Sequence, residues 1–240
     1  MTKVLQLFIY FSFSATVCST MYGQQKKTET EFYNWFDENL GSENSLLFNG
    51  TRPSENTKSK DGSHKYYMSP AFISGNIVYR DQPFFNTPIK YDIHEDEIII
   101  NLTSGTKSSI IKLVKANVQR FTLQNKQFIQ LEASEQLFLV NGFYEVLFER
   151  PDLSLYKKHH KIKKERIVHK EVYTDYKEED EYLMQRLGKY HAISNKNDLI
   201  KILPEHRSTI NNLYKKNDKL RKSDFDAFLI KISKDLAGYH

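Results

Sequence analysis

From Tyr66 to Arg150, apolar residues recur at every second position in short runs, and no stretch of helical period interrupts them. In "TPIKYDIHEDEIIINL", Ile89, Tyr91 and Ile93 alternate with polar neighbours, "HEDE" breaks the run, and Ile98, Ile100 and Leu102 resume it. A strand points successive side chains to opposite faces, so two such runs about a polar turn predict a β-hairpin. The pattern continues through "SSIIKLV", "VQRFTL", "QFIQLE", "QLFLV" and "FYEVLFER", parted by short turns such as "QNK" and the Asn141–Gly142 pair. Short strands with no helix between them predict an antiparallel meander or open half-barrel. They argue against a doubly wound nucleotide-binding sheet, whose parallel strands need long crossovers.

Helical grammar flanks this body. In "TETEFYNWFDENL", Phe32, Trp35, Phe36 and Leu40 form one stripe, with Thr28 or Thr30 as N-cap and Gly41 as the stop. Trp35 reads as a core anchor, and a sugar-stacking platform is the sharper alternative. Residues 51–65 are polar and read as a surface loop. Past about residue 175 the pattern turns helical. "SNKNDLIKIL" starts at a capping Ser194 and stops at Pro204, which opens "PEHRSTINNLYKK". "SDFDAFLIKISKDL" takes Ser223 as N-cap with Asp226 three residues on, and aligns Phe225, Phe228, Leu229, Ile232 and Leu236. Its polar face mixes Asp with Lys, which favours packing on the sheet over a membrane surface. The expected fold class is therefore α+β: an antiparallel β-meander or open half-barrel with an N-terminal helix and C-terminal helices packed on it.

The first residues predict an export signal over 1–23: Lys3, then the uncharged "VLQLFIYFSFSATVC", then Ser19, Thr20 and Gly23. Cleavage after Gly23 or near Ser19 both fit. The run is shorter than the about 20 residues a membrane span needs. A helix-plus-sheet domain over 24–174 and a helical segment over 175–240 should follow, with no further transmembrane segment. The only cysteine, Cys18, lies inside the signal. The mature chain would then lack a thiol nucleophile, a cysteine-based metal site and any disulfide. A chain of about 200 residues can stand on its apolar core alone. With 35 Lys and Arg against 30 Asp and Glu, the charge balance tunes solubility without naming a partner.

"YEVLFERPDLSLYKKHHKIKKERI" is the most chemically suggestive stretch. Alternation puts Tyr144, Val146 and Phe148 on one face. After Leu155 the apolar face runs out, as in a strand that outlasts its sheet or edges it. Lys157, Lys158, Lys161, Lys163 and Lys164 would then meet an anionic surface, lipid headgroup or glycan, as a peripheral membrane contact. Nucleic acid is not expected, because the charge lacks interleaved stacking aromatics. His159 and His160 are strand neighbours and cannot chelate one ion, even with His169 nearby. His94 with Glu95, Asp96 and Glu97 lacks the ligand spacing of a calcium loop and reads as a solvated hairpin tip. No metal or cofactor is expected.

No nucleophile elbow, zinc-protease helix, phosphate loop or dinucleotide fingerprint occurs. "SIIK", Ser109 to Lys112, has the letters of a serine–lysine motif but lies on a strand, where the two side chains diverge. The carboxylates of "DYKEEDEY" read as solvated and so unsuited to general acid work.

The order of an export signal, "ISGNIVYRDQPFFNTPIKYDIHEDEIII", "VQRFTL", "GFYEVLFERPDLSLYKKHHK" and "SNKNDLIKILPEHRSTINNLYKKN" resembles a widespread group of exported Bacteroidetes proteins without established activity. The resemblance runs roughly from Leu46 to Leu236. It implies a periplasmic or outer-membrane-associated location and a β-rich body with a helical C-terminal part. Periplasmic half-barrel carriers of lipoproteins and lipids are an alternative relative, by fold alone.

These readings point first to a non-enzymatic envelope protein that binds a partner protein or an apolar ligand on a concave aromatic face of Tyr91, Phe121, Tyr144 and Phe148. The plainer account is that each of these rings fills the core. The second reading is an envelope hydrolase, which requires a buried His beside a carboxylate and a hydroxyl, with His191 and His206 as candidates. A passive structural component is the third.

Overall fold

The computed structural model describes residues 46–53, 59, 62–104, 106–131, 142–168 and 171–238. The expected helix around Trp35 and the "QLFLV" strand lie outside them. Thirteen strands are described: β1 (Gly50–Thr51), β2 (Ile73–Tyr79), β3 (Gln82–Asp92), β4 (Glu97–Ser104), β5 (Lys107–Leu113), β6 (Val118–Leu123), β7 (Lys126–Leu131), β8 (Gly142–Phe148), β9 (Leu153–Lys158), β10 (Lys161–Val168), β11 (Glu171–Glu178), β12 (Glu181–Arg186) and β13 (Lys189–Ile193). Eleven form one open antiparallel sheet in the order β1-β5-β4-β3-β2-β6-β7-β8-β9-β12-β13, while β10 and β11 pair with each other as a separate arm. Three hairpins close on two-residue turns with both residues at positive φ: Arg80 and Asp81 (50° and 64°), Gln124 and Asn125 (47° and 64°), and Leu187 and Gly188 (48° and 76°). Such turns match the right-handed twist of the strands they join.

The strand order is that of two meanders placed side by side. β2 to β5 step outward, and β6 then returns to the free edge of β2. Gly75 sits at this junction, where a β-carbon would lie 2.2 Å from the Thr122 carbonyl oxygen. Laid flat, β5 and β6 would be about 19 Å apart. Only Val114 and the 3₁₀ turn Lys115–Asn117 link them, and an extended link of that length would reach at most ~18 Å. The sheet must therefore curl. β2 carries register shifts on both edges, after Gly75 and after Val78, which add bend. The curl lets the Tyr91 ring of β3 meet Phe143 of β8 at 5.9 Å, across three intervening strands.

Helices follow at α1 (Lys196–Ile202), α2 (Arg207–Lys216), α3 (Asp218–Ser223) and α4 (Phe225–Leu236). Residues 175–193, expected to be helical, are instead strand, because Leu183 and Met184 each bury against a different face of the sheet. Caps also differ from expectation by one residue. Asn195, not Ser194, caps α1 in a reciprocal capping box with Asp198, and Asp224, not Ser223, caps α4 through Ala227 N–H. Asn195→Ala should cost about 1 kcal/mol in urea unfolding, the usual worth of such a cap; an unchanged midpoint would show that the box is idle. No described helix is long and apolar enough to cross a membrane.

Three apolar clusters result. The first fills the curled sheet with Tyr79, Ile89, Tyr91, Ile100, Phe121 and Phe128 among others. The second lies between β8, β9, β12, β13 and the helices, where Phe228, Leu229 and Ile232 are fully buried. Burying each such side chain contributes about 1.5–3 kcal/mol. A third, smaller cluster gathers Leu131, Tyr144, Tyr156 and Leu183.

Candidate functional site

The four aromatics expected to share a concave face are divided among these clusters. Tyr91 and Phe121 touch, ring centres 5.3 Å apart, but inside the first cluster and 1% exposed each. Tyr144 belongs to the third cluster and Phe148 to the second. The cause is a bulge at Leu147: Val146 pairs with Tyr156 but Phe148 with Leu155, so the strand swaps faces after Val146. Strict alternation would have kept Phe148 with Tyr144. Each of the four rings packs in or against one of these apolar clusters.

The hairpin tip expected in solvent keeps Glu95 there, but drives Asp96 into the protein. Asp92 accepts from the His94 and Glu95 amides, both at 3.1 Å, and turns the chain back. Asp96 follows at φ 57° and is 7% exposed. Its carboxylate receives the Tyr91 hydroxyl at 2.6 Å and Lys115 Nζ at 2.6 Å, and the Phe143 amide approaches to 3.3 Å. Lys158 Nζ lies 2.5 Å from the same carboxylate, an ion pair that makes no hydrogen bond of good geometry. Burial pulls the Lys158 ammonium below its ordinary pKa despite Asp96, and pushes the Tyr91 hydroxyl well above its own, with Asp96 adding to the rise. Burial likewise lifts Tyr144, beneath Lys158, to about 12. Gly142 permits this clasp: a β-carbon there would stand 2.1 Å from Asp96 Oδ2 and 2.2 Å from Lys158 Nζ.

The lysine-rich stretch is buried at its start, contrary to the expectation of a solvated edge. Lys157, Lys158, His159 and Lys161 are each at most 8% exposed. Lys161 Nζ donates to the backbone carbonyls of His64 and Tyr66 at 3.0 and 2.9 Å. Lys157 bonds Asp226 of α4 at 2.7 Å and Asp180 at 2.9 Å. His159 Nε2 meets Glu145 at 2.6 Å, its Nδ1 faces Asp180 at 3.6 Å, and Lys126 meets Glu145 at 2.9 Å. Tyr182 donates to Asp226 at 2.5 Å. This ionic seam lies on one face of β8 and β9, between the first and second apolar clusters. Only Lys163 and Lys164 remain on the exposed arm, Lys163 paired with Glu165 at 2.7 Å and Lys164 opposite Asp175 in register.

Burial opposes charge throughout the seam, yet the partners win. His159 is held above its ordinary pKa because Asp180 and Glu145 outweigh desolvation. Glu145 is held below its own by His159 and Lys126, and Asp180 by His159 and Lys157, in each case against burial. Lys157 is raised by Asp226 and Asp180 despite the loss of water.

The buried histidine beside carboxylates is therefore His159, not His191 or His206. His191 lies on β13 opposite Met184, and His206 ends a 3₁₀ turn near Glu205 at 3.7 Å. Every charged group of the His159 seam is engaged with another, so it reads as a fastening between β8, β9, the β11–β12 turn and α4. Ser109 and Lys112 diverge as their strand placement predicts, Lys112 reaching Glu97 at 2.9 Å on the outer face.

Open space lies on that outer face. A groove of about 670 Å³ runs beside β1 and β5, lined by Phe48, Arg52, Phe72, Lys90, Ile99 and Ile110 with backbone-rich neighbours. Its floor includes Ile99, 3% exposed yet outside all three clusters. Ile110 and Phe48 stay 46% and 38% exposed. Lys90 Nζ stands 4.6 Å from the Phe72 ring centre and 4.9 Å from that of Tyr66. Among the described residues, the lining thus combines apolar surface with two cations and no carboxylate. Alternation alone places Ile110 and Lys90 outward, but the closeness of Phe48 and Phe72 carries no local signal. Compared with protein-family models, curated proteins and solved structures, the chain matches none of them.

Proposed function

We propose that this is an exported, non-enzymatic binding protein of the cell envelope, whose curled sheet is an open half-barrel. It holds a partner or ligand in the groove beside β1 and β5, not among the interior aromatics. The observation that carries this is the groove's composition: exposed Ile110 and Phe48 over a buried Ile99, flanked by Arg52 and Lys90. Such a surface suits an occupant with an apolar body and an anionic group, since apolar area leaves water and the cations meet charge. Periplasmic or outer-membrane-associated placement follows from the N-terminal signal pattern and from the resemblance to exported Bacteroidetes proteins. Lys163 and Lys164 on the arm remain as contacts for an anionic surface.

Native mass spectrometry of the mature protein, taken gently from its own host's envelope fraction, tests the reading. The expected result is a population carrying added mass, reduced at least tenfold in occupancy in Ile110→Glu, which buries a like charge against the occupant's anion. A bare monomer for the unmodified chain would sink it. Ile110 is exposed, so the substitution leaves the folded core untouched.

A further inference from the structure

The groove borders an unfinished sheet edge. β1 pairs with β5 only through Gly50 opposite Leu113 and Thr51 opposite Lys112. Among the described residues, no strand pairs with the remaining outer edge of β5, Lys107 to Ile111. That is about 17 Å of backbone donors and acceptors at the usual rise per residue. Sheet edges left open recruit further strands unless they are blunted by charge, proline or a bulge. Here β5 carries no proline, its one charge in the open stretch is Lys107 at the end, and Ile110 within it is exposed.

We infer that the groove binds its partner by strand addition: an extended, acidic and apolar peptide segment pairs with the backbone of β5 from Lys107 to Ile111, continuing the line of β1. The inference rests on the groove reading above and names the class of occupant. Backbone pairing would supply affinity and the alternating side chains selectivity. One side-chain row would lie over Ile110 and Phe48, and carboxylates in it would meet Arg52 and Lys90. The same charges disfavour a second copy of this chain as occupant. Two β5 edges paired antiparallel would bring the cations Arg52 and Lys107 of the two copies into one seam.

Selection of a random linear peptide library against the whole mature protein supplies the probe. The selected peptide is then compared with the same peptide N-methylated at alternate amides, in both phases, and hydrogen exchange of the protein is followed with and without it. Strand addition predicts enrichment of segments alternating apolar and acidic residues. It also predicts at least a tenfold loss of affinity on methylating one phase but not the other, and slowed exchange confined to Lys107–Ile111. Peptide binding abolished by Ile110→Glu, but indifferent to N-methylation and without protection of β5, would overturn strand addition while leaving the groove reading intact. Failure of any peptide to enrich would overturn the inference. Reversible dimerisation that protects the same β5 amides would overturn the choice of occupant in favour of a second copy.

Discussion

Replacing Asp96 by Asn should lower the free energy of unfolding by about 3–5 kcal/mol, the usual cost of removing one partner from a buried ion pair. Asn keeps the size of the side chain and tolerates positive φ, so the backbone at 57° has no reason to move. What is lost is the charge that holds Lys115 and Lys158 at 2.6 and 2.5 Å. Lys158, 6% exposed, would be left as a buried ammonium. The converse change, Lys158→Met, should cost less, because Asp96 would keep Lys115, the Tyr91 hydroxyl and the Phe143 amide. The double variant should recover part of the Asp96→Asn loss, since no stranded ammonium remains at 158. Urea denaturation of the three variants decides the matter. A loss below about 1 kcal/mol for Asp96→Asn would mean that the clasp behaves as a surface pair and does not hold the curl.

Stability should pass through a maximum between about pH 4.5 and 6.5, and His159 should account for its alkaline side. His159 is raised from 6.5 in the fold. Its contribution is therefore complete below 6.5 and disappears as pH rises through the folded value. Glu145 and Asp180 are lowered from 4.5 and 3.8, so theirs is present above those values and disappears as pH falls through the folded ones. The groups facing the imidazole are Glu145, Asp180, Lys157 and the Tyr67 ring at 4.8 Å. His159→Gln should cost about 1.5–3 kcal/mol near pH 5.5, as for a hydrogen bond to a charged group. The two proteins should converge as pH rises past the folded value. Equal slopes on the alkaline limb would assign that limb to other groups.

The body of the sheet was legible because alternation is local. The β3–β4 hairpin, the β5 to β8 strands and the C-terminal stripe of α4 all announce themselves within a dozen residues or fewer. The ionic sites were not, for a physical reason. A lysine on a strand reads as solvated unless its carboxylate is known, and Asp226 is 69 residues from Lys157. Asp96 was misplaced for the same cause: "HEDE" has the composition of a wet turn, and only the curl brings Lys158 and the Phe143 amide to it. Phe148 shows a second limit. One extra residue at Leu147 reverses the faces, and nothing in "EVLFER" marks it. In "DYKEEDEY", charge density hid strands whose partners lie elsewhere: Lys161–Val168 for one side of the arm, and β9 and β13 for β12.

The adjacency of β2 and β6 also bears on the order of folding. β2 to β5 can pair as they emerge, but the far edge of β2, from Gly75 to Tyr79, has no partner until residues 118–123 have followed. A chain that has paired β2 to β5 but not yet β6 would therefore carry a four-stranded sheet with an unsealed flank that includes Ile77. Until β6 pairs, that flank is an open and partly apolar edge, and a chain ended after Leu113 should aggregate more readily in refolding than one ended after Leu123.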